Sequence, residues 1–153
     1  ASTIYALFKS KHGILRALMD QALPSQQYEV LLEKTYQERT ATGLLTLAAK
    51  YARQIYDAER ALMDVFRGAS LLGAQFKQLE KEREQRRYKR QEESCTRVAD
   101  QFVKELSLEK VRDILWALTG RDFYRLLVVE QGWTSDEYEA WLAQILIKTL
   151  AGE

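Results

Sequence analysis

One proline and seven glycines are the only strong backbone breakers in 153 residues. A strand-and-turn protein needs such breakers far more often, so this chain must run mainly as long helices. Apolar residues make up 46% of it and charged residues 29%, which is enough for a packed core and too apolar for a disordered chain. The length suits one domain, or one domain with a fragment of a second. No apolar run approaches the roughly 18–20 residues of a membrane-spanning helix, and no secretory signal pattern opens the chain. The expectation is a cytoplasmic, all-α protein of about eight helices with no membrane partner.

Hydrophobic spacing marks the individual helices. Ser10 can cap a helix that carries Ile14, Leu15, Leu18 and Met19 on one stripe and stops before Pro24. Ser25 is the next cap, ahead of Tyr28, Leu31, Leu32, Thr35 and Tyr36 on one face. Residues 40–43 form a short joint. Leu44, Leu47, Ala48, Tyr51, Ala52 and Ile55, then Leu62, Met63 and Phe66, continue the pattern. Glu59 and Arg60 interrupt that stripe, which predicts two helices or one bent helix, with the next corner at residues 68–73. Val98, Ala99, Phe102, Val103 and Leu106 extend a further helix. Ser107 caps another, with Val111, Ile114, Leu115 and Leu118 inward and Thr119 with Gly120 as its stop. Residues 123–129 are apolar nearly all round, and Thr134 with Glu137 has the spacing of a capping box ahead of the final helix.

Residues 80–93 are different, because Tyr88 is their only apolar side chain. Glu82 with Arg86, Lys89 with Glu93, Glu80 with Arg83 and Glu84 with Arg87 stand at helical spacing, each pair worth about 0.2–0.5 kcal/mol. Two readings fit: a helix whose middle turns stand in water, and a polar rim over a binding cavity.

The sequence carries no glycine-rich phosphate loop and no nucleophile elbow. His12, the only histidine, stands between Lys11 and Gly13 in a polar first turn; Cys95, the only cysteine, lies between Ser94 and Thr96. One of each makes neither a disulfide nor a familiar zinc site, so no metal and no cofactor is expected. Helix capping accounts for Asp136 and Glu137. An enzyme is therefore not expected. Twenty-three basic and 22 acidic residues give a net charge of +1, so any contact with nucleic acid must be local. Thr3, Tyr5, Lys9 and Lys11 supply such a local set: a hydroxyl, a phenol and two ammonium groups suited to phosphate oxygens. The same residues suit an ordinary surface helix end equally well.

The arrangement at the two ends of the chain points to a family. Residues 3–11 (ThrIleTyrAlaLeuPheLysSerLys) followed by 13–20 (GlyIleLeuArgAlaLeuMetAsp) resemble the end of the DNA-binding domain of TetR/AcrR-type transcriptional regulators. Residues 113–119 (AspIleLeuTrpAlaLeuThr), 123–134 and 138–146 resemble the C-terminal helices of the same family. The resemblance implies a TetR-like helical regulatory domain in a homodimeric, ligand-controlled repressor. Its helix-turn-helix unit reads operator DNA in the major groove, and dimer symmetry sets the half-site spacing. Carried over by position, Thr3 and Tyr5 face DNA from the recognition helix. Lys11 meets a phosphate at the start of the next helix, with Lys9 beside it. Members of the family carry further residues ahead of this point, whereas this chain starts at Ala1, inside the motif. Residues 1–23 are accordingly expected to be a remnant of the DNA-binding unit and linking helix of a longer protein, and residues 24–153 the ligand-binding and dimerisation domain.

Tyr51, Tyr56, Phe66, Phe76, Trp116 and Tyr124 are the candidate walls of an effector pocket, although an aromatic stripe at helical spacing serves equally as core. A small apolar or aromatic effector is expected. For the homodimer, the resemblance points to the last two long helical segments, with Leu127, Tyr138, Trp141, Leu142, Ile145 and Leu146 as candidate contacts. They carry more apolar face than one small core needs. The alternative function is a stand-alone dimeric binding or scaffolding module with no operator of its own.

Overall fold

The computed structural model of the chain describes residues 25–60 and 73–153 together with Gly13, Ile14 and Ala17, the side chains of Ser25, Gln26, Gln75, Phe76 and Leu79 excepted. Thr3, Tyr5, Lys9, Lys11 and Phe66, and the side chain of Phe76, lie outside the described residues. So do the helix stop before Pro24, the continuation at Leu62 and Met63, and most of the corner at 68–73.

All regular structure among the described residues is helical. Helix α1 spans Ser25–Gln37, α2 Ala41–Glu59 and α3 Ala74–Arg97. A short 3-10 turn, Ala99–Gln101, leads on to α4, Leu108–Leu118. Helix α5, Arg121–Tyr124, runs directly into a π-helical turn at Arg125–Glu130. Helix α6, Ser135–Leu146, does the same at Ile147–Ala151. No described helix is long and apolar enough to cross a membrane.

Local chemistry sets most of these ends. Ser107 accepts a hydrogen bond from the Lys110 N–H and caps α4, as expected. Thr134 and Glu137 form both halves of the capping box on α6. The joint before α2 is shorter than expected. Thr40 is itself the N-cap, accepting from the Gly43 N–H at 3.1 Å, so Gly43 lies inside the first turn. A Cβ on Gly43 would stand 2.4–2.6 Å from the Glu38 and Thr40 side chains, which explains the missing side chain there.

The expected helical run through Leu106 is corrected. Helix α3 stops at Arg97, and Val98 leaves the helical region with φ −123° and ψ 25°. Val98 and Phe102 are buried all the same, so the two apolar anchors hold an irregular link instead of a helix face.

Helix α2 is the centre of the packing. It lies most extensively against α6, and also meets α1, α5 and the final π-helical turn, while α3 packs on α4. Leu44, Leu45, Ala49, Ala52, Ile55 and Tyr56 of α2 join Val111, Leu115, Tyr124, Val128, Tyr138, Leu142, Leu146 and Leu150 in one continuous core. Burying side chains of this size contributes about 1.5–3 kcal/mol each, and this core is what holds the arms of the fold in place. Arg53, held by Asp57 one turn on in α2 (3.1 Å), ties the α2–α6 contact at its edge through Asp136 (2.6 Å). Arg112 does the same for α4 and α3 through Glu92 at 2.7 Å.

Candidate ligand-binding site

Between α1, α2 and α3, and closed by the C-terminal end of α4, lies a cavity of about 480 Å³. Small-molecule sites are typically about 300–1,000 Å³, so the space suits a ligand of modest size. One wall is apolar: Leu32 of α1, Leu44, Ala48, Ala52 and Ile55 of α2, and Leu115 of α4. The facing wall is the charged helix α3, which contributes Arg83, Glu84, Arg86, Arg87, Arg90, Gln91 and Ser94, joined by Arg121 of α5.

Phenols link the two walls. Tyr51 donates to Tyr28 across α2 and α1, with ring centroids 5.1 Å apart. Arg90 donates to the same Tyr28 oxygen at 2.9 Å and lies 5.6 Å from the centre of the Tyr51 ring. Burial opposes the Arg90 charge, but the two phenols outweigh it and the net direction is upward. Burial pushes Tyr51 well above the ordinary phenol range, so it stays protonated. At the cavity floor, Tyr56 donates to the Thr119 carbonyl at 2.8 Å, capping an otherwise orphaned end of α4.

Thr119 is where three helices meet. Its Oγ1 donates to the Leu115 carbonyl at 2.6 Å and receives both Arg87 Nη1 and Gln91 Nε2 at 2.9 Å. Arg87 also bonds the Trp116 carbonyl at 2.9 Å and pairs with Glu84 at 2.7 Å. Behind this point Glu59, the last residue of α2, is fully buried between Arg83 and Arg121. Arg121 also reaches Glu80 at 2.6 Å. Burial and the nearby Arg121 charge push Arg83 down to about 10.

The sequence-derived pocket residues divide. Tyr51 and Tyr56 line the cavity. Trp116 does not: it packs outside it under Arg87, 5.2 Å from its ring centre, and against the edge of Tyr88. Tyr124 is also elsewhere, fully buried between Tyr56 and Tyr138 with its hydroxyl on Asp57. The expected dimer residues divide in the same way. Tyr138, Leu142 and Leu146 are fully buried in the chain's own core, because that face of α6 lies on α2. Leu127, Trp141 and Ile145 stay half-buried at the surface, next to the exposed Leu126 and Val129.

Tyr28, Leu32, Thr35 and Tyr36 were not among the expected pocket residues; the arginines of α3 were covered only by the second reading of residues 80–93, a polar rim over a binding cavity, and they do line it. A signal was present. Arg83, Arg86, Arg87 and Arg90 recur at helical spacing in a run with almost nothing else to bury, which is the pattern of one polar face turned inward.

No family model, no curated protein and no solved structure matches the chain. Among the described residues no group of three histidine, cysteine, aspartate or glutamate side chains could hold a metal ion. Cys95 is buried, and its thiol is pushed up to about 12, so it offers little thiolate for nucleophilic chemistry. Geometry and composition together suit reversible binding of a small molecule in the α1–α2–α3 cavity.

Proposed function

We propose that the chain is the ligand-binding and dimerisation body of a TetR-type transcriptional regulator that represses transcription until an effector enters the helical cavity. The observation that carries this reading is the cavity itself. It lies inside the helical body, is lined by α1, α2, α3 and α4 and is bordered by Tyr51 and Tyr56. A ligand there touches α1 and α3 at once, so its presence can alter how α1 is held, and α1 follows the segment whose residues resemble a DNA-reading head. Support also comes from the resemblance at both ends of the sequence.

In this reading Thr3, Tyr5, Lys9 and Lys11 approach operator DNA, and a homodimer forms through the outer face of α5, its π-helical turn and α6. Leu127, Trp141 and Ile145 lie on that face with Leu126 and Val129, which are 42% and 44% exposed. Residues of this size left in water beside half-buried Phe123 and Trp133 favour a two-fold contact. A cytoplasmic location follows from the same reading.

The test uses the protein from its complete reading frame. Selection from random duplexes should enrich a palindromic sequence, and Lys11→Ala should weaken binding across sequences and lower the salt slope by about 1. Failure to enrich any sequence, with a dimer still present in sedimentation, would favour the stand-alone binding module, for which the cavity and the exposed apolar face are sufficient.

A further inference from the structure

We infer that the ligand of the α1–α2–α3 cavity is an anionic amphiphile, its carboxylate or similar acidic head held by Arg90 and Arg86 and its apolar body lying against α1 and α2. This rests on the cavity reading and adds an acidic head to the expected small apolar or aromatic effector.

Five arginines and one glutamate border the cavity, but three of the arginines have acidic partners nearby. Glu84 pairs with Arg87, and Glu59 lies between Arg83 and Arg121. Among the described residues neither Arg86 nor Arg90 forms a salt bridge, although Glu82 stands one turn before Arg86 on the same helix. They stand four residues apart on one helix, so a single head group can meet both. Arg86 is exposed and Arg90 half-buried, which places this pair between the solvent and the cavity interior.

Arg90 has five N–H donors, and one hydrogen bond from it, to Tyr28, is present. Tyr28 accepts from both Arg90 and Tyr51, so its own O–H proton is left to donate. A guanidinium fork beside a phenol donor matches the two oxygens of a carboxylate. An apolar ligand would cover these donors and give them no acceptor, a neutral acceptor would leave the guanidinium charge unpaired, and a cationic ligand would be repelled. The opposite wall, with Leu32, Ala48, Ala52 and Ile55, has no charge and suits an aliphatic or aromatic body.

The test compares two fluorescent probes with the same skeleton, anilinonaphthalenesulfonate (anionic) and N-phenylnaphthylamine (neutral), by titration of the full chain. The expected result is one site per chain, with the anionic probe at least about tenfold tighter, as for a hydrogen bond to a charged group. Arg90→Gln should erase most of that preference, weakening the anionic probe far more than the neutral one, and Arg90→Lys should restore part of it. Circular dichroism confirms that the variants fold, and Arg86→Gln provides an independent variant at the rim. Equal affinity for the two probes, or a preference that survives Arg86→Gln combined with Arg90→Gln, overturns the anionic ligand and leaves the cavity reading intact. Binding of neither probe overturns the cavity reading itself.

Discussion

Glu59 offers a sharp test of how this body is held together. It is the one fully buried carboxylate among the described residues, and it closes the end of α2 against Arg83 of α3 and Arg121 of α5. Glu59→Gln keeps the shape and removes the charge, so two partly desolvated guanidinium groups face each other without the anion between them. Breaking a buried ion pair from one side typically costs about 3–5 kcal/mol. The Glu80 contact to Arg121 remains at 2.6 Å, so the lower end of that range applies. About 3 kcal/mol in a chain of this length corresponds to a fall in Tm of roughly 6–12 °C. Thermal unfolding followed by far-UV circular dichroism measures it directly. Replacing the pair with apolar residues, as Glu59→Leu with Arg83→Leu, should recover much of the loss, because the Arg83 charge is then gone and Arg121 keeps Glu80. A loss below about 1 kcal/mol for Glu59→Gln would refute the reasoning, since it would mean that Glu59 does not offset the two arginines.

Two further outcomes follow from the same packing. Burial works against the Asp57 carboxylate, but hydrogen bonds from Ser135, Tyr124 and Arg53 outweigh it and hold its pKa below the ordinary value. Its stabilising effect is therefore complete above the unfolded value of about 3.9 and is lost as the pH falls through the lower folded value. Urea unfolding of Asp57→Asn should show a flatter acid limb than the parent chain, and an unchanged limb would exclude Asp57 as its source. Cys95 should stay unmodified by dithiobis(nitrobenzoate) at mildly alkaline pH and react fully in denaturant, since burial pushes its thiol up to about 12. Rapid labelling of the native protein would mean that the α3 C-terminal turn opens locally.

The parts of the fold that were legible in the sequence are those decided within a few residues. Ser107 and the Thr134–Glu137 pair bind backbone N–H groups three positions away, so their role is fully stated by their spacing. The stop at Thr119 and Gly120 was legible for the same reason. The link after α3 was not. Val98 and Phe102 have helical spacing, but they are buried at two points of an irregular chain, and periodicity does not distinguish these cases.

Scarce breakers and helical hydrophobic spacing were enough to determine that the described chain is all-α and where several of its helices begin. Only the tertiary structure decided which way each amphipathic face points. Helix α6 has apolar residues on two sides, and its packing on α2 puts Tyr138, Leu142 and Leu146 in the core while Trp141 and Ile145 stay outward. Glu59, an interruption of a stripe in the sequence, became the buried anion of a three-helix junction because Arg83 and Arg121 arrive from distant segments. The arginines of α3 form the wall of a cavity for the same physical reason. The sequence states each group's charge and periodicity, but its partner and its solvent exposure are set by contacts between residues far apart in the chain.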